Sequence, residues 1–196
     1  MNKTIIAAAL FGLGTLPVAA EERWILNGAE SKLAYGSIKK NVIGEVNHFA
    51  GLTGSVSETG SVDVTIDLFS VETWVDIRNE RMREHVFGAA PKAHLSAEID
   101  MDAVNAMAPG ETAVVDVEGT LSFAGAEMDI YTEMFVARLG TDRALVTTDE
   151  MIMVSTAELG IDAGVDTLKK LAELPGITRV APVTLRLVFE RTGEGA

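Results

Sequence analysis

Residues 62–87 read VDVTIDLFSVETWVDIRNERMREHVF. Val62, Val64, Ile66 and Leu68 alternate with Asp63, Thr65 and Asp67, which predicts a strand with one apolar and one wet face. The period changes at Ser70. Val71-Glu72-Thr73-Trp74 then makes a crossing, and Ile77 to Phe87 follows at helical spacing. Ile77, Met82, Val86 and Phe87 stand among Arg78, Glu80, Arg81, Arg83 and Glu84. The stretch therefore predicts a half-buried strand leading into a charged, amphipathic helix.

Working outward, the same alternation recurs. Strands are expected at Trp24 to Asn27, Lys32 to Lys39 and Val42 to Phe49, the last with a bend at Gly44. Gly51, Gly54 and Gly60 suggest a hairpin around Leu52 to Ser57. Further strands are expected at His94 to Met101, Ala113 to Phe123, Glu127 to Leu139, Arg143 to Thr148, Met151 to Ser155 and Val183 to Glu190. A second helix is predicted over Gly164 to Leu174, with Val165, Leu168, Leu171 and Ala172 as its apolar stripe and Pro175-Gly176 as its stop. Many alternating strands joined by short turns indicate a mainly β, antiparallel fold. Closure of about eight strands into a barrel, with the two short helices near its ends, would remove exposed edges. A two-sheet sandwich satisfies the same periodicity.

The first twenty residues have a different purpose. A short positive start at Lys3, an apolar run from Ile5 to Leu16 and small residues at Val18-Ala19-Ala20 read as a secretory signal peptide cleaved after Ala20. The apolar run is short for a membrane span, which needs about 20 residues. Residues 21–196 then suit one domain. Loss of Lys3 takes Lys+Arg from 16 to 15 against 29 Asp+Glu, a net charge of −14. Nucleic acid and anionic membrane surfaces repel such a chain. The sequence has no cysteine, which excludes disulfides, thiolate catalysis and cysteine metal ligands.

The residues set out above resemble the YceI-like family of bacterial periplasmic proteins. The most specific part is Val-Asp-Val-Thr-Ile-Asp-Leu, then Ser-Val-Glu-Thr, then Arg-Asn-Glu-Arg-Met-Arg-Glu-His, within residues 62–85. Gly44-Glu45-Val46 followed by Phe49, and Gly160-Ile161 through the second helix to Pro182-Val183-Thr184-Leu185, are also similar to that family. The chain departs from it at Phe123-Ala124-Gly125-Ala126-Glu127, which keeps only the glycine of a His-Gly-x-Thr-x-Pro-like loop, and at Met82-Arg83-Glu84 before His85. The resemblance implies a lipocalin-like barrel, a periplasmic location and a long isoprenoid, an isoprenoid quinone or another lipid-like tail held inside.

Catalytic and metal chemistry find little support in the spacing. His48, His85 and His94 are scattered, with no pair at zinc-ligand spacing. No Gly-x-Ser-x-Gly and no phosphate-binding Gly-x-x-x-x-Gly-Lys occurs. No cofactor and no catalytic residue is assigned. The expected ligand lining is Tyr35, Phe49, Val64, Ile66, Leu68, Trp74, Leu121, Phe123, Met134, Leu185 and Phe189. Arg78, Arg81, Arg83 and His85 on the charged helix are candidates for the mouth, although exposed helix charges more often pair with neighbouring acids. The expected partner is a lipid-like small molecule, with no nucleic acid and no stable membrane insertion of the mature chain. A second copy of the chain, as a homodimer, is a further candidate. The competing expectations are a ligand-free structural or stress-related module and, behind it, an enzyme acting on a lipid-like substrate.

Overall fold

β10 (Val180–Thr192) closes the molecule, because it pairs on one side with β2 (Lys32–Lys39) and on the other with β8 (Arg143–Thr148). Between them run β3 (Ile43–Ser57), β4 (Ser61–Glu72), β5 (Lys92–Glu98), β6 (Thr112–Phe123) and β7 (Ala126–Arg138), each antiparallel to the next. β1 (Arg23–Leu26) extends the β2 position by pairing with both β10 and β3. β9 (Ile152–Ser155) extends the β8 position along β10. The result is a closed antiparallel barrel of eight strand positions, so the sandwich alternative falls. The structure is a computed structural model and describes residues 23–192. The expected signal peptide and the tail 193–196 lie outside the described residues.

Alternation sets the inside of the barrel as expected. Val64, Ile66 and Leu68 of β4 are buried, as are Val183, Leu185, Leu187 and Phe189 of β10. The break of period at Ser70 has a physical cause. Phe49 pairs with Val71, but Gly51 pairs with Asp67, so β4 carries two extra residues in a bulge. The Ser70 hydroxyl holds the bulge together. It accepts from the backbone N–H groups of Ala50 (3.1 Å) and Gly51 (2.8 Å) and donates to the Asp67 carbonyl (2.5 Å). The bulge turns Val71 inward, where it is 1% exposed.

The crossing into α1 (Asp76–His85) is a small hydrogen-bonded knot. Thr73 donates to Asn79 Oδ1 from both its backbone N–H (2.9 Å) and its hydroxyl (2.6 Å). Asn79 Nδ2 and the Trp74 N–H both donate to Glu72 Oε1, at 3.1 and 2.5 Å. Those bonds, from Asn79 first and then Trp74, hold the Glu72 carboxyl below the usual carboxylate range. The Glu-Thr and Arg-Asn-Glu pieces of the opening stretch therefore build the turn that launches α1.

Four expectations need correction. β3 runs unbroken through the expected hairpin, because its glycines allow close packing against β4. A Cβ on Gly51 would lie 2.8 Å from the Asp67 Cβ. A third helix, α2 (Met101–Asn105), replaces the end of the strand expected to reach Met101. Asp100 starts it by accepting from the Asp102 N–H at 2.9 Å. α1 is not amphipathic in the expected sense: its buried residue is Asn79, and Ile77 is exposed. Val86 and Phe87 are buried, but only beyond the helix end. A hollow lies beneath α1, and Met82 is the one apolar residue of the helix packed against the core. Finally, the second predicted helix, α3 (Asp162–Leu171), starts and ends slightly earlier than expected. It crosses α1 closely, and only a glycine fits there. A Cβ on Gly164 would meet the His85 carbonyl oxygen and lie 2.8 Å from the Val86 Cα.

Candidate ligand-binding site

Two chambers lie inside the barrel. The upper one, of about 500 Å³, is walled by β2, β3, β4 and β10 and roofed by α1 and α3. The lower one, of about 100 Å³, is lined by apolar side chains with Thr132 as the exception in polarity. Met101 and Val104 of α2 and Trp24 of β1 contribute to it.

The expected lining divides between them. Tyr35, Phe49, Ile66, Leu68, Leu121 and Phe123 line the upper chamber. Val64, Met134, Leu185 and Phe189 line the lower. Trp74 lines neither: it is 75% exposed and leans on His48, with ring centroids 5.6 Å apart. The cause is local. The bond from its N–H to Glu72 holds the crossing in a turn with φ +62° at Trp74, and the indole points outward.

Helix α1 sorts its charges by position. Arg78 and Arg81 line the upper chamber. Arg83 does not; its Nε donates to the Phe69 carbonyl at 2.8 Å, fastening α1 to the β4 bulge. His85 also lies outside the lining, at the crossing with α3, with Glu84 Oε2 3.8 Å from its Nε2.

The charged part of the upper chamber's lining is mostly cationic in an acidic protein. Lys39, Lys40, Arg78 and Arg81 stand in it against one carboxylate, Glu45. Glu45 accepts from Lys39 Nζ at 2.6 Å and from Arg78 Nη2 at 3.1 Å, and its Oε2 lies 3.0 Å from Arg78 Nη1. Burial pushes the Glu45 carboxyl up, but the Lys39 bond and the Arg78 and Lys39 charges outweigh it and hold its pKa below the usual range. Arg81 Nη1 reaches the Leu171 carbonyl at 3.4 Å, tying the roof helices together.

The interior is aromatic and apolar. Tyr35 stacks on Phe49 at 5.3 Å, Phe49 meets Phe87 edge-on at 5.7 Å, and Phe87 meets Phe123 at 6.3 Å. The Tyr35 hydroxyl faces the Met82 sulfur at 3.5 Å. Burial pushes its pKa up, against the pull of Arg78, so the phenol stays protonated.

Several lining residues escaped the sequence reading. Met82, Val86, Phe87 and the α3 residues Val165 and Leu168 complete the upper chamber. The α3 stripe was visible, but period alone does not say that it faces a hollow. Asn47 also lines the chamber and is 4% exposed. Its signal was present: it lies two residues before Phe49 and shares its face of β3.

No three His, Asp or Glu side chains converge as metal ligands among the described residues. No helix among them is long and apolar enough to cross a membrane. The arrangement suits holding an apolar chain with a polar end near the mouth.

The sequence model of the YceI-like domain matches residues 24–189. The chain belongs to the YceI-like family. Among solved structures, this YceI-like chain is similar to a polyisoprenoid-binding domain from Saccharophagus degradans implicated in plant cell wall breakdown. The two share 34% identity with a TM-score of 0.83, over 86% of this chain and 98% of that one. BcnA of Burkholderia cenocepacia shares the fold at 17% identity and a TM-score of 0.64, over 83% of this chain and 98% of that one. No curated protein matches the chain in sequence.

Proposed function

We propose that this YceI-like protein is a periplasmic carrier that sequesters a long isoprenoid, or a comparable lipid tail, in the upper chamber. One observation carries the reading: a hollow of about 500 Å³ with apolar walls and a cationic mouth inside a closed barrel. Its size lies within the usual range for small-molecule sites, roughly 300–1,000 Å³. Each CH₂ removed from water contributes about 0.8 kcal/mol, so a long tail needs few polar contacts to bind tightly. The polyisoprenoid-binding relative supports the ligand class. The signal-peptide pattern of residues 1–20 supports export, and residues 21–196 act as one carrier domain. The protein works by burial and release of its ligand, with no chemical step. Lys39, Lys40, Arg78 and Arg81 flank the entry, where Arg78 is held ready by Glu45.

A titration of the full mature chain with geranylgeraniol, a twenty-carbon isoprenoid alcohol, tests this reading. Leu121→Trp, which fills the upper chamber, is expected to lower affinity by at least about 100-fold, or some 2.7 kcal/mol. Trp74→Ala, outside both chambers, is expected to leave affinity unchanged. Equal affinity in wild type and Leu121→Trp would place the ligand elsewhere and overturn the reading.

A further inference from the structure

Within the upper chamber, one buried polar side chain has no partner. Asn47 is 4% exposed, and its Oδ1 is buried without a hydrogen bond. Two other buried atoms share that state among the described residues, Arg138 Nη1 and Arg143 Nε. Both belong to guanidinium groups bonded through other nitrogens. Arg138 donates to the carbonyls of Gly140 (2.8 Å) and Thr141 (2.6 Å), and Arg143 to Glu30. The Asn47 side chain has no such second anchor. An orphaned buried amide destabilises the empty protein, so its presence in a ligand chamber calls for a partner that arrives with the ligand.

Tyr35 sits directly opposite. It is the register partner of Asn47 across β2 and β3, and Cβ atoms of such pairs lie about 4.5–5.5 Å apart. Its hydroxyl has only the Met82 thioether at 3.5 Å, a weak acceptor that a better one can replace. A protonated phenol and an amide thus offer two kinds of donor and a carbonyl acceptor on one wall. The cation whose charge reaches Tyr35, Arg78, is already paired with Glu45, as is Lys39, and Glu45 lies two residues before Asn47 on β3. A phosphate drawn down to Asn47 would lose its water and find Arg78 already paired with the Glu45 carboxylate.

We propose that the Asn47 amide and the Tyr35 hydroxyl form a head-group station inside the upper chamber. It selects lipids ending in an uncharged hydroxyl over their hydrocarbon and anionic counterparts. The ligand hydroxyl donates to Asn47 Oδ1 and accepts from Tyr35. The charged mouth then serves as a gate above the head, closed by the Arg78–Glu45–Lys39 contacts. This inference rests on the carrier reading and adds to it the chemistry of the ligand's end.

Three probes of one chain length test it on the full mature protein: geranylgeraniol, geranylgeranyl diphosphate and the hydrocarbon phytane. Wild type is expected to bind the alcohol at least about tenfold tighter than either of the others. Asn47→Leu is expected to lose at least tenfold in alcohol affinity and to bind phytane as well as wild type does. Its empty form is expected to melt at or above the wild-type temperature, since an unpaired polar group has been removed. Tyr35→Phe is expected to lose alcohol affinity several-fold with phytane unaffected. Opposite movement of stability and binding in Asn47→Leu separates a ligand station from a structural role. Binding of phytane or the diphosphate as tight as that of the alcohol would overturn the station alone. So would a melting point of Asn47→Leu well below wild type. Failure of all three probes to bind would overturn the carrier reading with it.

Discussion

The upper chamber holds about 500 Å³ and the lower about 100 Å³, although strands of one barrel wall both. Alternation of apolar and polar residues is equally regular along both halves: Val64 faces the lower chamber and Ile66 the upper. The difference lies at the ends. Below, Trp24 is 4% exposed under the Arg138 guanidinium at 4.7 Å, and α2 presses Met101 and Val104 inward. That end is closed by bulk. Above, α1 and α3 bridge the rim and meet each other at Gly164, and their inner surfaces leave a space. That end is closed by a roof pinned at its edges: the Asn79 knot at its start, Arg83 on the bulge and Arg78 on Glu45. One end is thus filled by packing, and the other encloses a hollow.

The contrast breaks first at Trp24. Trp24→Ala is expected to cost about 3–5 kcal/mol, because a large buried ring leaves a cavity that the strands cannot collapse around. Urea unfolding measures the loss. Ligand affinity at 25 °C should change little by comparison. A cost under about 1 kcal/mol would mean that the lower end is not closed by packing.

Asn79→Ala attacks the other end. It leaves the buried Thr73 N–H without its acceptor and the Thr73 hydroxyl with only the Val75 carbonyl at 3.3 Å, at a cost of about 2 kcal/mol. The effect should be local. Amides of α1 are expected to exchange with deuterium faster while those of β5 to β7 keep their protection. Uniform loss of protection would show that the roof and barrel open as one unit.

The smallest effect is expected at the gate. The Glu45 pKa is depressed in the folded state, so its contribution is present above the unfolded value of about 4.3 and is lost as pH falls through the folded value. Glu45→Gln should therefore be less stable than wild type by under about 1 kcal/mol near neutral pH, with the difference vanishing in acid. Melting temperatures between pH 3 and pH 7 are the check. A gap that widened toward acid would have the wrong sign for these ion pairs.

Much of the barrel was legible in the sequence because parity is a strong constraint. The strands expected at Lys32 to Lys39 and Arg143 to Thr148 form with those bounds, and the break at Ser70 marks a real bulge. The depth of each residue along the barrel was not legible, since alternation gives a face but no height. Val64 and Ile66 read alike and line different chambers. Trp74 shows a second limit. An aromatic after an apolar strand looks like core, but one backbone bond to Glu72 turns it outward. Arg81 and Arg83 are a third case, two positions apart on one helix, the first lining the upper chamber and the second fastened to the bulge. Asn47 was readable in principle as a polar residue on an apolar face, and it became informative only when its lack of a partner was seen.

The most direct test of the carrier account is native mass spectrometry of the mature protein purified from its own cells, with solvent extraction of what it holds. The account predicts one isoprenoid or comparable long-tailed lipid per chain, lost in Leu121→Trp and retained in Trp74→Ala. Repeated empty preparations that also refuse added geranylgeraniol would contradict it.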